Sequence, residues 1–450
     1  MAHVTAHRRA RQALLLTALW ASLASGALAA EERIGERLFL VRDKPGTSTH
    51  FHMIVHAGCA DEIDGRCRGV AHYLEHLVLA GRNPEHKDAA VRIFADGQVN
   101  GWTRQRATAY LHTIPPRPNG AKADLATLFG FYAARLKDFH ISDDEAARER
   151  NVVAQEHAWR VDSRPFLRFA LKLERMLTPH LSEARNDVEA ITVDNARAFH
   201  RNWYAINNVS FAVKGDIEPT DLKEIADHAL TDLAPRTLPR RTVLRPPEIT
   251  VARDDIREEE ATVTRPGVIF MKLVRIEEPD AVAGRAARTV LLSFLRSRLP
   301  GSPYDVLVDQ EKLAAGLPGV SVERVAPQIF KLSINATAAP EVAPERLMAA
   351  IERYVQGLAS AGIPEATVTR LKTRIADARA SADQDPAQVY ARLIGWLGSG
   401  SPYGDLDKWP QRVAAVAPGD MERVLKGLAT PGRIVTGILA PLAPLAPAQP

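Results

Sequence analysis

The chain has 450 residues, which is too long for one ordinary hydrophobic core and predicts two or three domains. Hydrophobic residues make up 46% and charged residues 25%, a composition typical of globular proteins. The formal net charge of +4 falls to +1 without Arg8, Arg9 and Arg11, because 55 basic residues then face 54 acidic ones. A near-neutral chain without a Lys/Arg stripe excludes an electrostatic case for nucleic-acid binding, so we expect no nucleic-acid partner.

The first thirty residues have the layout of a secretory signal peptide. "HRRARQ" is basic, "ALLLTALWASLASG" is an apolar run of signal-peptide length, and "ALA" at 27–29 has the small-x-small pattern of a cleavage site. We predict a signal peptide over 1–29, cleavage near Ala29 or Ala30, and a periplasmic or secreted location. An uncleaved anchor is the weaker alternative, because no strong stop-transfer pattern follows and no later segment suits stable membrane insertion.

The first half alternates strand and helix patterns. "RLFLVRD" and "HFHMIVHAG" are rich in β-formers and flank the turn signal "DKPGTS". A helix is predicted from Val70 to Leu79 with Gly81 as its stop, and another over 87–97. "GQVNGWTRQRATAYLHTIP" predicts strand, turn and strand. "ADLATLFGFYAARLKDF" and "SDDEAARERNVVAQEHAWRVD" predict helices, and 191–217 predicts a helix followed by a strand.

The second half repeats this order after a linker. Residues 235–248 are rich in Pro and Arg, and the charged run "RDDIREEE" that follows is interpreted as a solvated edge. "GVIFMKLVRI", "IFKLSINATAA" and "GRIVTGIL" predict strands, with helices between them. We therefore predict an α+β unit that occurs twice, with these boundaries: an N-terminal metal-binding domain over 30–235, a linker over 236–252, a homologous C-terminal domain over 253–440, and a disordered tail over 441–450.

The segment "GVAHYLEHLVLAG" has the pattern of a metal site on a helix. His72 and His76 are four residues apart, so both imidazoles reach one ion, and Glu75 shares their face as a general base for the attacking water. This H-x-x-E-H order is the inverzincin motif of zinc peptidases. The alternative is a core helix that holds two satisfied histidines. It is disfavoured because an apolar helix rarely buries two imidazoles and a carboxylate without a partner.

A third ligand must come from elsewhere in the chain, because a catalytic zinc takes three protein ligands. "ERNVVAQEHAWR" offers Glu149 and Glu156, which are seven residues apart and lie two turns along one helix face. The alternative for both is ordinary surface charge on a helix.

Two smaller features of the sequence are the pair of cysteines, whose state is left open, and a group of three histidines. Cys59 and Cys67 form either a disulfide that closes a short loop before the motif or two separate thiols. A second metal at His50, His52 and His56 is disfavoured, because no carboxylate accompanies them at ligand spacing.

These segments together resemble the pitrilysin/insulinase family of zinc metallopeptidases, in its short two-domain form similar to mitochondrial processing peptidase and bacterial periplasmic homologues. "GVAHYLEHLVLAG" resembles the family's G-x-A-H-x-x-E-H-x-x-x-x-G, and "ERNVVAQE" resembles E-R-x-x-V-x-x-E. "VNGWT" with the later "ATAY" is similar to N-A-x-T and T-x-Y, and "FHRNWYAINNVSFAVKGDI" is similar to the segment F-x-x-x-W-Y-x-x-N-N that ends in G-D.

The resemblance implies a site and a fold. It implies Zn²⁺ bound by His72, His76 and Glu156, and Glu75 as general base. It also implies Glu149 as a carboxylate that orients the ligands, and Asn100 on an edge strand that binds substrate backbone. The implied fold has two homologous domains, each a mostly antiparallel sheet flanked by helices, which face each other around a clam-like chamber. The implied substrate is a peptide or an unfolded segment.

The second half departs from the family pattern. The family carries an Arg and a Tyr in a pattern like L-R-E-x-x-G-L-A-Y, but "PYDVLVDQEKLAAGL" has neither residue in place, and Arg298 and Tyr304 only lie nearby. We therefore expect an exported zinc endopeptidase that is the zinc-bearing half of a heteromer, with a homologous partner subunit that supplies the pair, or a homodimer. The alternative is a non-catalytic structural or assembly subunit with the peptidase fold.

Overall fold

The computed structural model of the chain describes residues 31–80, 97–138, 141–178, 190–241, 249–278, 280–358, 360 and 362–442. Several predicted segments lie outside these residues: the signal peptide, Gly81, nearly all of the helix over 87–97, positions 242–248 of the linker, and positions 443–450 of the tail. None of the helices in the described part combines the length and apolarity that a membrane crossing requires.

The described residues of the first half form a six-stranded sheet with helices. The strands are β1 (Glu31–Arg33), β2 (Leu38–Arg42), β3 (Thr49–Val55), β4 (Gln98–Thr103), β5 (Thr108–Ile114) and β6 (Val209–Gly215). The helices are α1 (Val70–Ala80), α2 (Lys122–Lys137), α3 (Asp143–His157), α4 (Pro165–Leu177), α5 (Val193–Trp203) and α6 (Pro219–Leu230). A π-helical turn, Ala158–Asp162, continues α3.

The second half forms a five-stranded sheet with helices. The strands are β7 (Ala252–Glu260), β8 (Gly267–Arg275), β9 (Gly319–Ala326), β10 (Ile329–Thr337) and β11 (Arg433–Pro441). The helices are α7 (Ala281–Leu295), α8 (Pro344–Gly357), α9 (Glu365–Ala382), α10 (Pro386–Leu397), α11 (Trp409–Ala414) and α12 (Pro418–Ala429).

The two sheets have related topologies. The first runs β1-β2-β6-β3-β5-β4 and the second β7-β11-β8-β10-β9. Each contains one parallel pair, β2 with β6 and β7 with β11, and all other pairs are antiparallel. The predicted α+β class with two mostly antiparallel sheets is confirmed. For the site, the important consequence is that β4 lies at an edge, where its outer backbone groups are unpaired within the sheet.

The halves exchange helices across their sheets. Helix α4 of the first half packs on the second sheet, where Phe169 and Leu173 contact the core strands and a Cβ on Gly437 would lie 2.4 Å from Leu173 Cδ1. Helix α10 of the second half packs on the first sheet through Val389 and Leu393. Both faces of each sheet are therefore covered, and β6 and β8 are buried over almost their whole length, as strands covered on both faces must be.

The three early histidines serve this packing. His52 Nδ1 lies 2.8 Å from the hydroxyl of Tyr390 on α10. His56 Nε2 lies 2.8 Å from Ser210 Oγ, and His50 Nδ1 lies 3.2 Å from Thr113 Oγ1. Each therefore has a polar neighbour in the sheet or in α10.

The charged run at 253–260 lies in the ordered edge strand β7, and none of its residues is buried, in agreement with its interpretation as a solvated edge. Its exposure alternates along β7, as a strand's two faces require. Arg253 Nη2 lies 2.8 Å from Glu352 of α8, while Glu260 on the other face pairs with Arg168 of α4. Cross-element ion pairs on both faces explain why a run of like and unlike charges forms regular structure here.

Candidate metal centre and active site

Helix α1 follows a loop that is closed by a disulfide and that supplies a carboxylate to the helix N-terminus. Cys59 and Cys67 form a disulfide across this loop, with a Cα–Cα distance of 4.5 Å, so the open question of their pairing is answered. The buried Glu62 carboxylate accepts the backbone N–H of Arg68 at 2.8 Å and of Ala71 at 2.9 Å. A carboxylate at this end satisfies donors that the helix leaves unpaired and complements its dipole.

Helix α1 presents two different faces. Its apolar face, with Leu74, Leu77 and Val78, is buried in the first core. Tyr73 donates its hydroxyl proton to the carbonyl of Ala146 at 2.6 Å, which ties α1 to α3. The two helices that carry the predicted ligands are thereby held against each other.

The structure brings His72, His76 and Glu156 together. Nε2 of His72 lies 3.7 Å from Glu156 Oε2, and Nε2 of His76 lies 3.8 Å from Glu156 Oε1. One ligand atom from each residue lies within 4.8 Å of the others. Two donors of one zinc ion at about 2.0–2.1 Å can be at most about 4.2 Å apart, so the histidine–glutamate separations suit a shared ion better than direct hydrogen bonds.

The chemistry of the donor set also fits a metal. Burial and the neighbouring His72 lower the pKa of His76, so its imidazole is neutral, which is the form that ligates. Glu156 Oε2 is buried without a well-aligned hydrogen bond, although Arg160 Nη2 lies 2.9 Å away. The nearby His72 ring lowers the pKa of Glu156 against the opposing effect of burial, so this ligand is ionised.

Glu149 lies behind the cluster, on the far side of the His76 ring. Its Oε2 is 3.3 Å from His76 Nδ1. A carboxylate there holds the proton on Nδ1 and directs the Nε2 lone pair toward Glu156. The seven-residue spacing of Glu149 and Glu156 on α3 therefore places one glutamate at each nitrogen of the same imidazole.

Glu75 is buried beside the donor cluster and is held by β4. Thr103 Oγ1 donates to Glu75 Oε2 at 2.7 Å. The backbone of Gly101 comes so close that a Cβ there would lie 2.3 Å from Glu75 Oε1. Burial raises the pKa of Glu75 to about 7, against the opposing effects of His72 and the Thr103 hydrogen bond. A carboxyl group that titrates near neutrality is suited to accepting and returning a proton.

Asn100 lies on the same edge strand but outside the donor cluster. Its side chain is exposed, and its Oδ1 accepts the backbone N–H of Gly101 at 2.8 Å. Its neighbours Gly101 and Thr103 make the contacts with Glu75, so the strand brings Asn100 to the vicinity of the site.

Three residues of the site were not assigned roles from the sequence. Gly101 and Thr103 stand inside the quoted segment "VNGWT", whose likeness to the family pattern was the available signal. Arg160 follows Glu156 by one helical turn, and that i,i+4 spacing alone predicts a contact.

The second-half stretch that departs from the family pattern forms a π-helical turn, Asp305–Gln310. The guanidinium of Arg298 lies over the ring of Tyr304 at 4.6 Å. These two residues, the nearest to the missing pair, are therefore engaged with each other.

The family model and the relatives that match this chain are all described as peptidases or proteases. A family model described as "Peptidase M16 inactive domain" matches residues 190–375, which begin after Glu156 and exclude the donor cluster. The chain is 22% identical over 271 residues to the probable zinc protease PqqL of Escherichia coli strain K12, covering 57% of this chain and 28% of that protein. It is 23% identical over 327 residues to the zinc protease PqqE of Helicobacter pylori strain 26695, covering 70% of each. The chain therefore spans less than a third of the E. coli relative.

Solved structures share the fold. A protease from Helicobacter pylori superposes with a TM-score of 0.72 at 20% identity, covering 92% of this chain and 100% of that one. The periplasmic protease PqqL from Escherichia coli gives 0.69 at 16% identity, covering 93% and 49%. Pitrilysin gives 0.70 at 16% identity, covering 93% and 46%.

Proposed function

We propose that this chain, which belongs to the M16 (pitrilysin) family of peptidases, is an exported zinc endopeptidase that hydrolyses peptides or unfolded segments. The observation that carries the proposal is the meeting of His72, His76 and Glu156 beside a buried Glu75. A scaffold protein needs no general base next to three metal donors. The names of the relatives, which are zinc proteases, support the choice of metal.

Zinc would be held by Nε2 of both histidines and by the Glu156 carboxylate, and when bound there it polarises the scissile carbonyl and activates water. Glu75 takes a proton from the attacking water and returns it to the leaving amine. Thr103 holds one oxygen of this carboxylate in place, and Glu149 keeps His76 oriented. The exposed edge of β4 pairs with the peptide as an added strand, and Asn100 contacts its backbone.

A homologous partner subunit completes the proposal, either as a second kind of chain or as a second copy. Its support is the stretch Asp305–Gln310, where the family's Arg and Tyr are absent, and the stacking of Arg298 on Tyr304. Export rests on the N-terminal pattern, and the E. coli protein of similar fold is a periplasmic protease. If the purified chain alone reaches the activity of its mixture with a homologue, the heteromer is refuted.

The second candidate is a non-catalytic assembly subunit. The absence of the Arg/Tyr pattern favours it, as does the description of the matching family model as an inactive domain. Glu75→Gln separates the two functions. For a peptidase, the variant retains zinc and loses cleavage by about 10²–10⁴-fold.

The measurement is zinc content by plasma mass spectrometry together with cleavage of a quenched fluorescent peptide library. Glu36→Gln, which removes an exposed carboxylate before β2, is the control and should leave both unchanged. Purified protein without zinc would overturn the metal and the mechanism. Equal cleavage by Glu75→Gln would overturn the role of the base.

A further inference from the structure

A cavity of about 690 Å³ lies between the two halves, a size typical of ligand sites. The first half contributes the tip of the β4–β5 hairpin, and the second half contributes one face of α7, the strand β9 and the loop after α10. Five arginines line it: Arg106, Arg241, Arg285, Arg288 and Arg324. Among the described lining residues, Asp405 is the one acidic side chain.

Nearby carboxylates compensate only part of this charge. The buried Asp61 pairs with both Arg106, at 2.5 Å, and Arg241, at 3.2 Å. Glu278 pairs with Arg288. With Asp405, three carboxylates face five guanidinium groups among the residues that the structure describes, which leaves this part of the cavity an excess of positive charge.

The excess is concentrated on α7 and β9. Arg285 lies over the rings of Trp396, at 4.4 Å, and Trp409, at 5.2 Å, which hold a cation without neutralising it. Arg324 is exposed and has no carboxylate partner in the part of the chain that the structure describes. Burial, with the neighbouring charge of Arg324 second, lowers the pKa of Arg288 to about 10, so Arg288 remains cationic at neutral pH.

The cavity adjoins the candidate active site along β4. Gln105 and Arg106 line it, and Thr103, which holds Glu75, precedes them on the same hairpin. A strand rises about 3.3 Å per residue, so Arg106 follows Thr103 by at most about 10 Å of chain. In the proposed function a peptide pairs with the edge of β4, and one end of that peptide then passes the tip of this hairpin.

We propose that this cavity is a substrate subsite that binds a carboxylate of the peptide, from an acidic side chain or from the C-terminus. The inference rests on the proposed peptidase function for its biological meaning. Its physical content is independent of turnover, because guanidinium groups bind carboxylates whether or not the bond is cleaved.

The test measures binding to the full-length Glu75→Gln protein by fluorescence anisotropy. The probes are short labelled peptides of neutral residues that carry two glutamates near one end, together with versions in which glutamine replaces both glutamates. Each peptide is made with a free and with an amidated C-terminus. We expect the glutamate or free-acid peptides to bind several-fold more tightly than the neutral ones. The advantage should shrink between about 0.1 and 1 M salt, as the Debye length falls from about 10 to 3 Å.

Arg324→Gln should reduce the preference for acidic over neutral peptides by about two- to fivefold. The charge reversal Arg324→Glu should reduce this preference further. Arg346→Gln, which removes an exposed arginine of α8 outside the lining, is the matched control and should leave it unchanged. Circular dichroism melting establishes that each variant is folded. Sensitivity to amidation or to glutamine replacement identifies which carboxylate is bound.

Equal affinity for acidic and neutral peptides would overturn the inference, as would an acidic preference that survives Arg324→Glu. Neither result bears on zinc or on cleavage. Conversely, a protein without zinc or peptidase activity that still prefers acidic peptides through Arg324 would refute the proposed function and leave the carboxylate site supported.

Discussion

Replacing Gly101 by alanine tests whether β4 positions the proposed base. The new Cβ would lie 2.3 Å from Glu75 Oε1 and 2.8 Å from its Cδ and Cγ, whereas ordinary contacts are 3.4–4 Å. The end of the Glu75 side chain must therefore move by about 1 Å and leave its hydrogen bond with Thr103. A misplacement of this size costs about 10²-fold in rate, or about 2.7 kcal/mol of barrier.

The assay compares kcat/KM for a peptide substrate, zinc content and melting temperature. Because the displaced atoms are the flexible end of a side chain, Gly101→Ala should keep its zinc and its fold while activity falls. Gly130→Ala is the control, since a Cβ on this helical glycine of α2 meets nothing within 4 Å. It should gain about 0.5–1 kcal/mol in stability and retain full activity. Activity of Gly101→Ala within about threefold of the wild type would refute the positioning of Glu75 by β4.

Three further outcomes are expected. Glu62→Ala removes the carboxylate that caps α1 and should lower the free energy of unfolding by about 1–3 kcal/mol, measured by urea denaturation with the disulfide intact. Glu149→Gln should weaken zinc binding about 10–100-fold in a chelator competition, because it disturbs the orientation of His76, whereas the exposed Asp144→Asn on the same helix should not. Burial lowers the pKa of His52 from 6.5 to about 3, so protonation favours the unfolded chain, and stability is lost as pH falls below 6.5. Between pH 6.5 and 5 His52 contributes a loss of about 1.6 kcal/mol, and the total loss over this range should be smaller by that amount in a parallel titration of His52→Gln.

Local periodicity predicted which candidate donors share a helix face, and the family resemblance selected Glu156 as the third ligand. His72, Glu75 and His76 share a face because a helix repeats every 3.6 residues, and Glu149 and Glu156 share a face because seven residues make two turns. Such relations hold wherever the helix is placed. The sequence therefore predicted both helices and the side chains that each one presents, although it left the pairing of Cys59 and Cys67 open.

The meeting of those faces is a property of the tertiary structure. The hydrogen bond of Thr103 and the close approach of Gly101 depend on where the edge strand β4 lies relative to α1. The exchange of α4 and α10 between the sheets likewise has no local signature, because a helix with an apolar face fits many sheets equally well.

The arginine-lined cavity is likewise a product of the tertiary structure and has no local sequence pattern. Arg106, Arg241 and Arg324 are far apart in a chain whose overall charge is close to balanced, so no window of sequence contains their cluster. Residue patterns predicted an α+β unit that occurs twice and the candidate donors on each helix, and the family resemblance predicted the sheet arrangement and the choice of Glu156. Packing of the two halves decided which charges share a cavity and which strand holds the base. Contacts between distant segments depend on shape complementarity over the whole core, and a local pattern does not encode that complementarity.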